Sequence, residues 1–183
     1  MNVSPNLINL VKGIAAQHGL DPDLVCAVVE QESAWNEWEF RYEPAFYATY
    51  IAPMLKGASP AGPIKVFDPS CSIETEAAAR AFSWGLMQIL GQVAREQGFD
   101  EPDLRAGLLN PLNAVTQGCR KLKKCLSLET HEHGTYAEDV NAGLLRYNGG
   151  GDANYPALVM SHYGDYAYLN VSAAPEFSPG EMA

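Results

Sequence analysis

Residues 21–33 read Asp21-Pro22-Asp23-Leu24-Val25-Cys26-Ala27-Val28-Val29-Glu30-Gln31-Glu32-Ser33. Asp21 followed by Pro22 is a helix start, with a carboxylate able to cap free backbone N–H groups and a proline at the first helical position. Leu24, Val25, Val28 and Val29 then form one apolar stripe. Glu32 lies four residues past Val28 and eight past Leu24, so it continues that stripe to its end. A carboxyl group at the tip of a buried stripe is partly withdrawn from water, which favours its protonated form. The stretch therefore predicts a buried helix that ends in a carboxylic acid suited to giving up a proton.

Working outward, turn and cap signals divide the rest of the chain into further helices. Ser4-Pro5 opens one, with Leu7, Leu10, Val11 and Ile14 as its stripe and Gly19 at its close. A helix is predicted over 45–55, and Ser59-Pro60-Ala61-Gly62-Pro63 reads as a loop. An alanine-rich helix is predicted from Glu74 to Phe82, broken at Gly85. Another covers 92–97 and ends at Gly98. Asn110-Pro111 begins a helix through Leu122 to about Leu126. Thr135 and Glu138 form a capping-box pattern for a helix that reaches Tyr147 and stops at Gly149-Gly150-Gly151. A last helix is expected from Tyr155 to Leu169, followed by a Pro/Ser/Gly tail, 171–183, expected to be mobile. Strand-like alternation is scarce, so the fold class is mainly α. The expected organisation is a single domain over 1–170.

Composition narrows the function. The 183 residues carry a formal net charge of −10 and a pI near 4.7, with no basic block. That excludes a phosphate-collecting footprint, hence nucleic acid, and disfavours anionic membrane surfaces. The longest apolar run, Leu24 to Val29, is far too short to span a bilayer. No secretory leader is legible from Met1 to Leu20, where Asn9 and Lys12 interrupt the apolar residues. Of the four cysteines, Cys119 and Cys125 stand about 9 Å apart along one helix, too far for a bridge. Cys26 falls on a core face, and four free thiols, with Cys71 the fourth, are expected. His131 and His133 flank Glu132 in a polar stretch and read as a solvated loop rather than a metal site. There is no phosphate-binding glycine loop and no Ser-His-Asp signature, so neither metal nor cofactor is expected.

Two further blocks follow Glu32-Ser33 in the chain: Gly85-Leu86-Met87-Gln88-Ile89 and Arg146-Tyr147-Asn148-Gly149-Gly150. A helix-end Glu-Ser, then a Gly-Leu-Met-Gln turn, then a Tyr-Asn-Gly-Gly turn resembles the soluble lytic transglycosylases and goose-type lysozymes. The resemblance runs from about Asp21 to Tyr168. It implies a lysozyme-like fold and cleavage of the MurNAc–GlcNAc β-1,4 bond of peptidoglycan, with Glu32 as the single acid/base. In the lytic transglycosylases the muramic acid's own 6-hydroxyl closes on C1 and leaves a 1,6-anhydro end. The resemblance also implies that Ser33, Gly85, Met87, Gln88, Tyr147 and Asn148 shape the substrate site, and that the tyrosine hydroxyl reaches the glutamate or the sugar beside it. Arg146 stands where the family has a small residue. The implied partner is the glycan strand, met at the cell wall, in the periplasm or outside the cell, by a monomer.

The chain departs from the family in one large respect: 53 positions separate Glu32 from Gly85, much more than is usual. Residues 36–72, rich in aromatics, read as an insertion beside the cleft. Trp38, Tyr42, Phe46 and Tyr47 are candidates to extend a glycan site by stacking, against the plainer reading that they form the insertion's own small core. Hydrolysis would need a second carboxylate, and Glu43 and Glu74 are the leading candidates, ahead of Glu37, Glu39, Asp68 and Glu76. The rival readings are thus a hydrolytic muramidase on the same scaffold and a non-catalytic glycan-binding module.

Overall fold

A computed structural model describes residues 3–59, 62–129 and 136–167. Within them the chain is mainly helical, with one small antiparallel sheet. The order is α1 (Pro5–Gln17), α2 (Pro22–Ser33), β1 (Phe40–Tyr42), α3 (Pro44–Phe46), a π turn (Tyr47–Ile51), α4 (Ala52–Leu55), α5 (Ile73–Arg80), β2 (Phe82–Trp84), β3 (Ile89–Leu90), α6 (Gly91–Glu96), α7 (Leu104–Leu108), α8 (Pro111–Glu129), α9 (Tyr136–Tyr147) and α10 (Tyr155–His162). Among the described residues no helix is long and apolar enough to cross a membrane.

The helix starts follow their local chemistry. Asp21 caps α2 by accepting from the Asp23 N–H at 2.9 Å. Ser4 stands at the N-cap of α1 but makes no side-chain cap bond, so Pro5 alone marks that start. Two expectations need correction, and some short elements carried no signal. Phe82 belongs to β2, not to the preceding helix, which ends at Arg80. The last helix stops at His162, because Tyr163 turns extended and Gly164 is left-handed. The strands and α7 escaped the pattern because each is five residues or fewer, too short to establish a period. Thr135, His131, His133, Leu169 and the 171–183 tail lie outside the described residues.

The main core gathers the stripes of α1 and α2 with residues of α8, α9 and α10. None of the four cysteines forms a disulfide, and Cys26, Cys119 and Cys125 are buried. A second, smaller core belongs to the segment after β1: Ile51, Met54, Ile64, Ala77 and Ala81, with Phe46 and Tyr47 packed against it. The plainer reading of those two aromatics is therefore the correct one. A buried ionic network joins this segment to the domain. Glu76 receives Arg80 Nε at 2.9 Å and Arg95 at 2.9 and 3.0 Å, while Arg80 also donates to the Lys65 carbonyl at 2.7 Å.

In the sheet, Phe40 pairs with Trp84, Arg41 with Ser83 and Tyr42 with Phe82, and β3 pairs on the other side of β2. Alternation along a strand puts Arg41 and Ser83 on one face and Phe40, Tyr42, Phe82 and Trp84 on the other. This division sets where the chemistry lies.

Candidate active site

Glu32 occupies the last turn of α2, immediately before an abrupt change of backbone. The C-cap Ala34 (φ 48°) and Trp35 (φ 66°) are consecutive non-glycine residues in the left-handed region. Each such residue costs about 1–2 kcal/mol, and strain of this kind gathers where geometry is held for function. The third case among the described residues is Gln88 (φ 44°), in the Gly-Leu-Met-Gln turn. Backbone strain thus falls on two of the three blocks that the sequence singles out.

These blocks are in contact. Ser33 Oγ lies 3.1 Å from the Val29 carbonyl and 3.0 Å from the Leu86 carbonyl, so its proton pins the end of α2 to the turn. Gly85 is left-handed (φ 66°), and a Cβ there would stand 2.3 Å from the Leu108 carbonyl oxygen. Only glycine fits. Met87 is fully buried against α8, where Gly118 makes room: a Cβ on Gly118 would meet Met87 Sδ at 2.2 Å. Gln88 Nε2 donates to the Gly85 and Glu39 carbonyls at 3.0 and 3.2 Å, tying the turn to the approach of β1. Ser33, Gly85, Met87 and Gln88 therefore brace the site with their own contacts.

The hydroxyl bonded to Glu32 is that of Tyr155, while Tyr147 stands near enough to feel the charge of Glu32 without bonding to it. Tyr147 is buried and donates to the Met87 carbonyl at 2.8 Å, joining the third block to the second. Tyr155, at the start of α10, donates instead to Glu32 Oε1 at 2.6 Å. Asn148 is half-buried beside the Gly149-Gly150 turn. Lys121 stands over the Tyr147 ring, 4.3 Å from its centroid.

Burial raises the Glu32 pKa above its ordinary value, and the Tyr155 bond, Lys121 and Arg41 pull it back while Glu43 adds to the rise. Desolvation in turn lowers the pKa of Lys121, against the pull of Glu32. Burial raises the Tyr155 phenol, and Glu32 raises it further, since ionising it beside a carboxylate would put two negative charges together. Tyr155 therefore stays a donor. The result is a carboxylic acid that keeps its proton to higher pH than a solvated glutamate and has a donor ready for its conjugate base.

The charges acting on Glu32 from the sheet come from one face of it. Glu43 follows β1, its Oε1 accepting from Arg41 Nε at 2.7 Å and from Ser83 Oγ at 3.2 Å. Of the two assisting carboxylates named from sequence, Glu43 acts electrostatically on Glu32, whereas Glu74 is exposed in the first turn of α5. Glu76 is taken up by its two arginines. Tyr155, Lys121, Arg41 and Ser83 had no sequence signal: Tyr155 is 123 residues from Glu32 and belongs to no block. Among the described residues no group of three His, Cys, Asp or Glu side chains could hold a metal.

Residues 56–105 match the Muramidase family model, described as N-acetylmuramidase. The match runs from the end of the aromatic-rich segment through α5, β2, the Gly85–Gln88 turn and α6 into α7, and supports a lysozyme-like muramidase family. Neither a curated protein nor a solved structure matches the chain.

Proposed function

We propose that the protein cleaves the β-1,4 bond between MurNAc and GlcNAc in peptidoglycan strands, with Glu32 as the proton donor. One observation carries the reading: a desolvated carboxyl at a strained helix end, hydrogen-bonded by Tyr155 at 2.6 Å and facing the charged side of a small sheet. Breaking a glycosidic bond needs a proton on the leaving oxygen as positive charge grows at C1. Glu32 supplies the proton, and the Tyr155 hydroxyl then stabilises the carboxylate left behind. The N-acetylmuramidase match adjoining this site supports the same substrate.

Two routes complete the reaction. In the lytic one, implied by the three-block resemblance, the muramic acid 6-hydroxyl attacks C1 and ionised Glu32 takes its proton, leaving a 1,6-anhydro end. In the hydrolytic one, water attacks and a carboxylate takes its proton. Glu43, held by Arg41 and Ser83 and acting on Glu32, is the carboxylate we assign to that step if water is the nucleophile. The strand is met at the cell wall, in the periplasm or outside the cell, by a monomer.

The test is mass spectrometry of soluble fragments released from purified peptidoglycan by wild type, Glu32→Gln and Glu43→Gln. Reducing ends from wild type, lost in both variants, support hydrolysis. Fragments lighter by one water that survive Glu43→Gln support the lytic route. Undiminished release by Glu32→Gln would sink the assignment of the acid.

A further inference from the structure

The other face of the sheet carries no group placed around Glu32, and its chemistry is distinctive: Tyr42 and the neighbouring Trp38, named from the sequence as candidates for glycan stacking, belong to this side. Trp38 is 69% exposed and Phe40 56% exposed, in a chain whose other tryptophans are buried. The Phe40 ring stacks on Trp84 at 5.8 Å between centroids and 29° between planes, and Phe82 continues the row at 5.1 Å from Trp84. The row goes on to Tyr42, 5.1 Å from Phe82. Trp38 and Phe40, with Phe82 and Trp84 behind them, wall a cavity of about 920 Å³. Its far wall is the junction of α7 and α8. A second cavity, of about 480 Å³, adjoins it, the two sharing Phe82, Trp84 and Arg105. The two cavities together offer room for more than one sugar ring.

Polar groups stand at its edge: Glu37, Arg105 and Asn110. Asn110 uses its Oδ1 to cap α8 at the Leu112 N–H, which leaves its NH₂ as a donor. Arg105 is exposed. Aromatic faces flanked by a carboxylate, an amide and a guanidinium suit a ring that is apolar on its faces and hydrogen-bonding at its edge, which describes a sugar. A purely apolar partner would leave those edge groups unpaired at a cost. The charge fits as well: the chain is acidic overall, and an arginine here gives a free carboxylate of the strand, on a lactyl group without its stem peptide or on the stem peptide itself, a local partner.

We propose that the groove behind the sheet, walled by Trp38, Phe40 and Arg105, is a second, non-catalytic binding site for an amino-sugar glycan strand. The proposal rests on the peptidoglycan reading for its ligand but not on Glu32, since strand alternation turns the Phe40, Phe82 and Trp84 rings away from the face that carries Arg41 and Ser83. Its role is to hold the polymer while the other face of the sheet acts on it. Short fragments have no use for it.

The test uses the full chain with Glu32→Gln, so that bound polymer is not cut, and purified insoluble peptidoglycan as the probe. Sedimentation of the protein with the polymer is compared with and without Trp38→Ala and Arg105→Ala, each checked for an unchanged thermal melt. Trp38→Ala is expected to weaken binding about tenfold, the equivalent of ~1.4 kcal/mol of lost ring contact. Arg105→Ala is expected to weaken it about threefold, a loss that high salt abolishes. With Glu32 restored, Trp38→Ala should slow release from the insoluble polymer and leave turnover of a short soluble glycan fragment unchanged. Equal binding by all three proteins would overturn the proposal, as would loss of turnover on the short fragment. A wild-type dimer that Trp38→Ala converts to monomer would make the groove a self-association surface and overturn it too. If wild type releases nothing but still sediments with the polymer in a manner that depends on Trp38, the catalytic reading fails and this one stands.

Discussion

Replacing Tyr155 by phenylalanine removes one hydroxyl and nothing else from the neighbourhood of Glu32. That hydroxyl donates to Oε1 at 2.6 Å, a short bond of the charge-assisted kind. A hydrogen bond to a charged group contributes about 1.5–3 kcal/mol. Part of it survives when Glu32 is protonated, because a neutral carboxyl oxygen still accepts. About half the charge has developed on Glu32 when the proton is midway to the leaving oxygen, so roughly 1 kcal/mol should be lost from the barrier-lowering effect, or about fivefold in kcat. KM should change little, since the phenol faces the glutamate. The bond also favours the ionised form of Glu32, opposing the rise caused by burial, so its removal moves the alkaline limb of the kcat profile to higher pH. The assay is steady-state release of soluble fragments from peptidoglycan across pH 4–10, with the thermal melt as a control on folding. A Tyr155→Phe enzyme with unchanged kcat and an unmoved alkaline limb would refute the role given to this bond.

Glu76→Ala strips the partner from two arginines whose side chains are 6% and 3% exposed. Breaking a buried ionic cluster in this way costs about 3–5 kcal/mol, so Tm by circular dichroism should fall by roughly 6–20 °C; an unchanged Tm would mean that the arginines find other partners. Gly85→Ala forces a Cβ to 2.3 Å from a backbone oxygen at φ 66°. It should cost more than the ~1–2 kcal/mol of left-handed strain alone, visible in the denaturant midpoint, and an alanine tolerated without loss would contradict the close approach to Leu108. Glu32→Gln should separate activity from stability. Because burial raises the folded-state pKa of Glu32 above the ordinary 4.5, its contribution to stability is complete below pH 4.5 and is lost as pH rises through the folded value. The glutamine variant should therefore melt at a higher temperature than wild type at pH 8, with the difference fading toward pH 4; a variant less stable at pH 8 would count against a desolvated Glu32.

What the amino-acid sequence determined by itself lies within reach of local periodicity. The 3.6-residue stripe of α2 placed Glu32 on the buried side, the Asp21-Pro22 pair set the helix start, and Gly85 announced a backbone that no other residue adopts there. Those signals need only neighbours a few positions apart, and they also marked the turn that Ser33 reaches. The tertiary structure alone decided which groups meet the acid. Tyr155 rather than Tyr147 holds Glu32, and Glu43 rather than Glu74 acts on it, because α10 packs on α2 and β1 pairs with β2 in one register. The same register sorts Arg41 from Phe40 and so separates a charged face from an aromatic one. Strands of two or three residues leave no period in a sequence, and side chains 123 positions apart share a hydrogen bond only once the helices between them have packed.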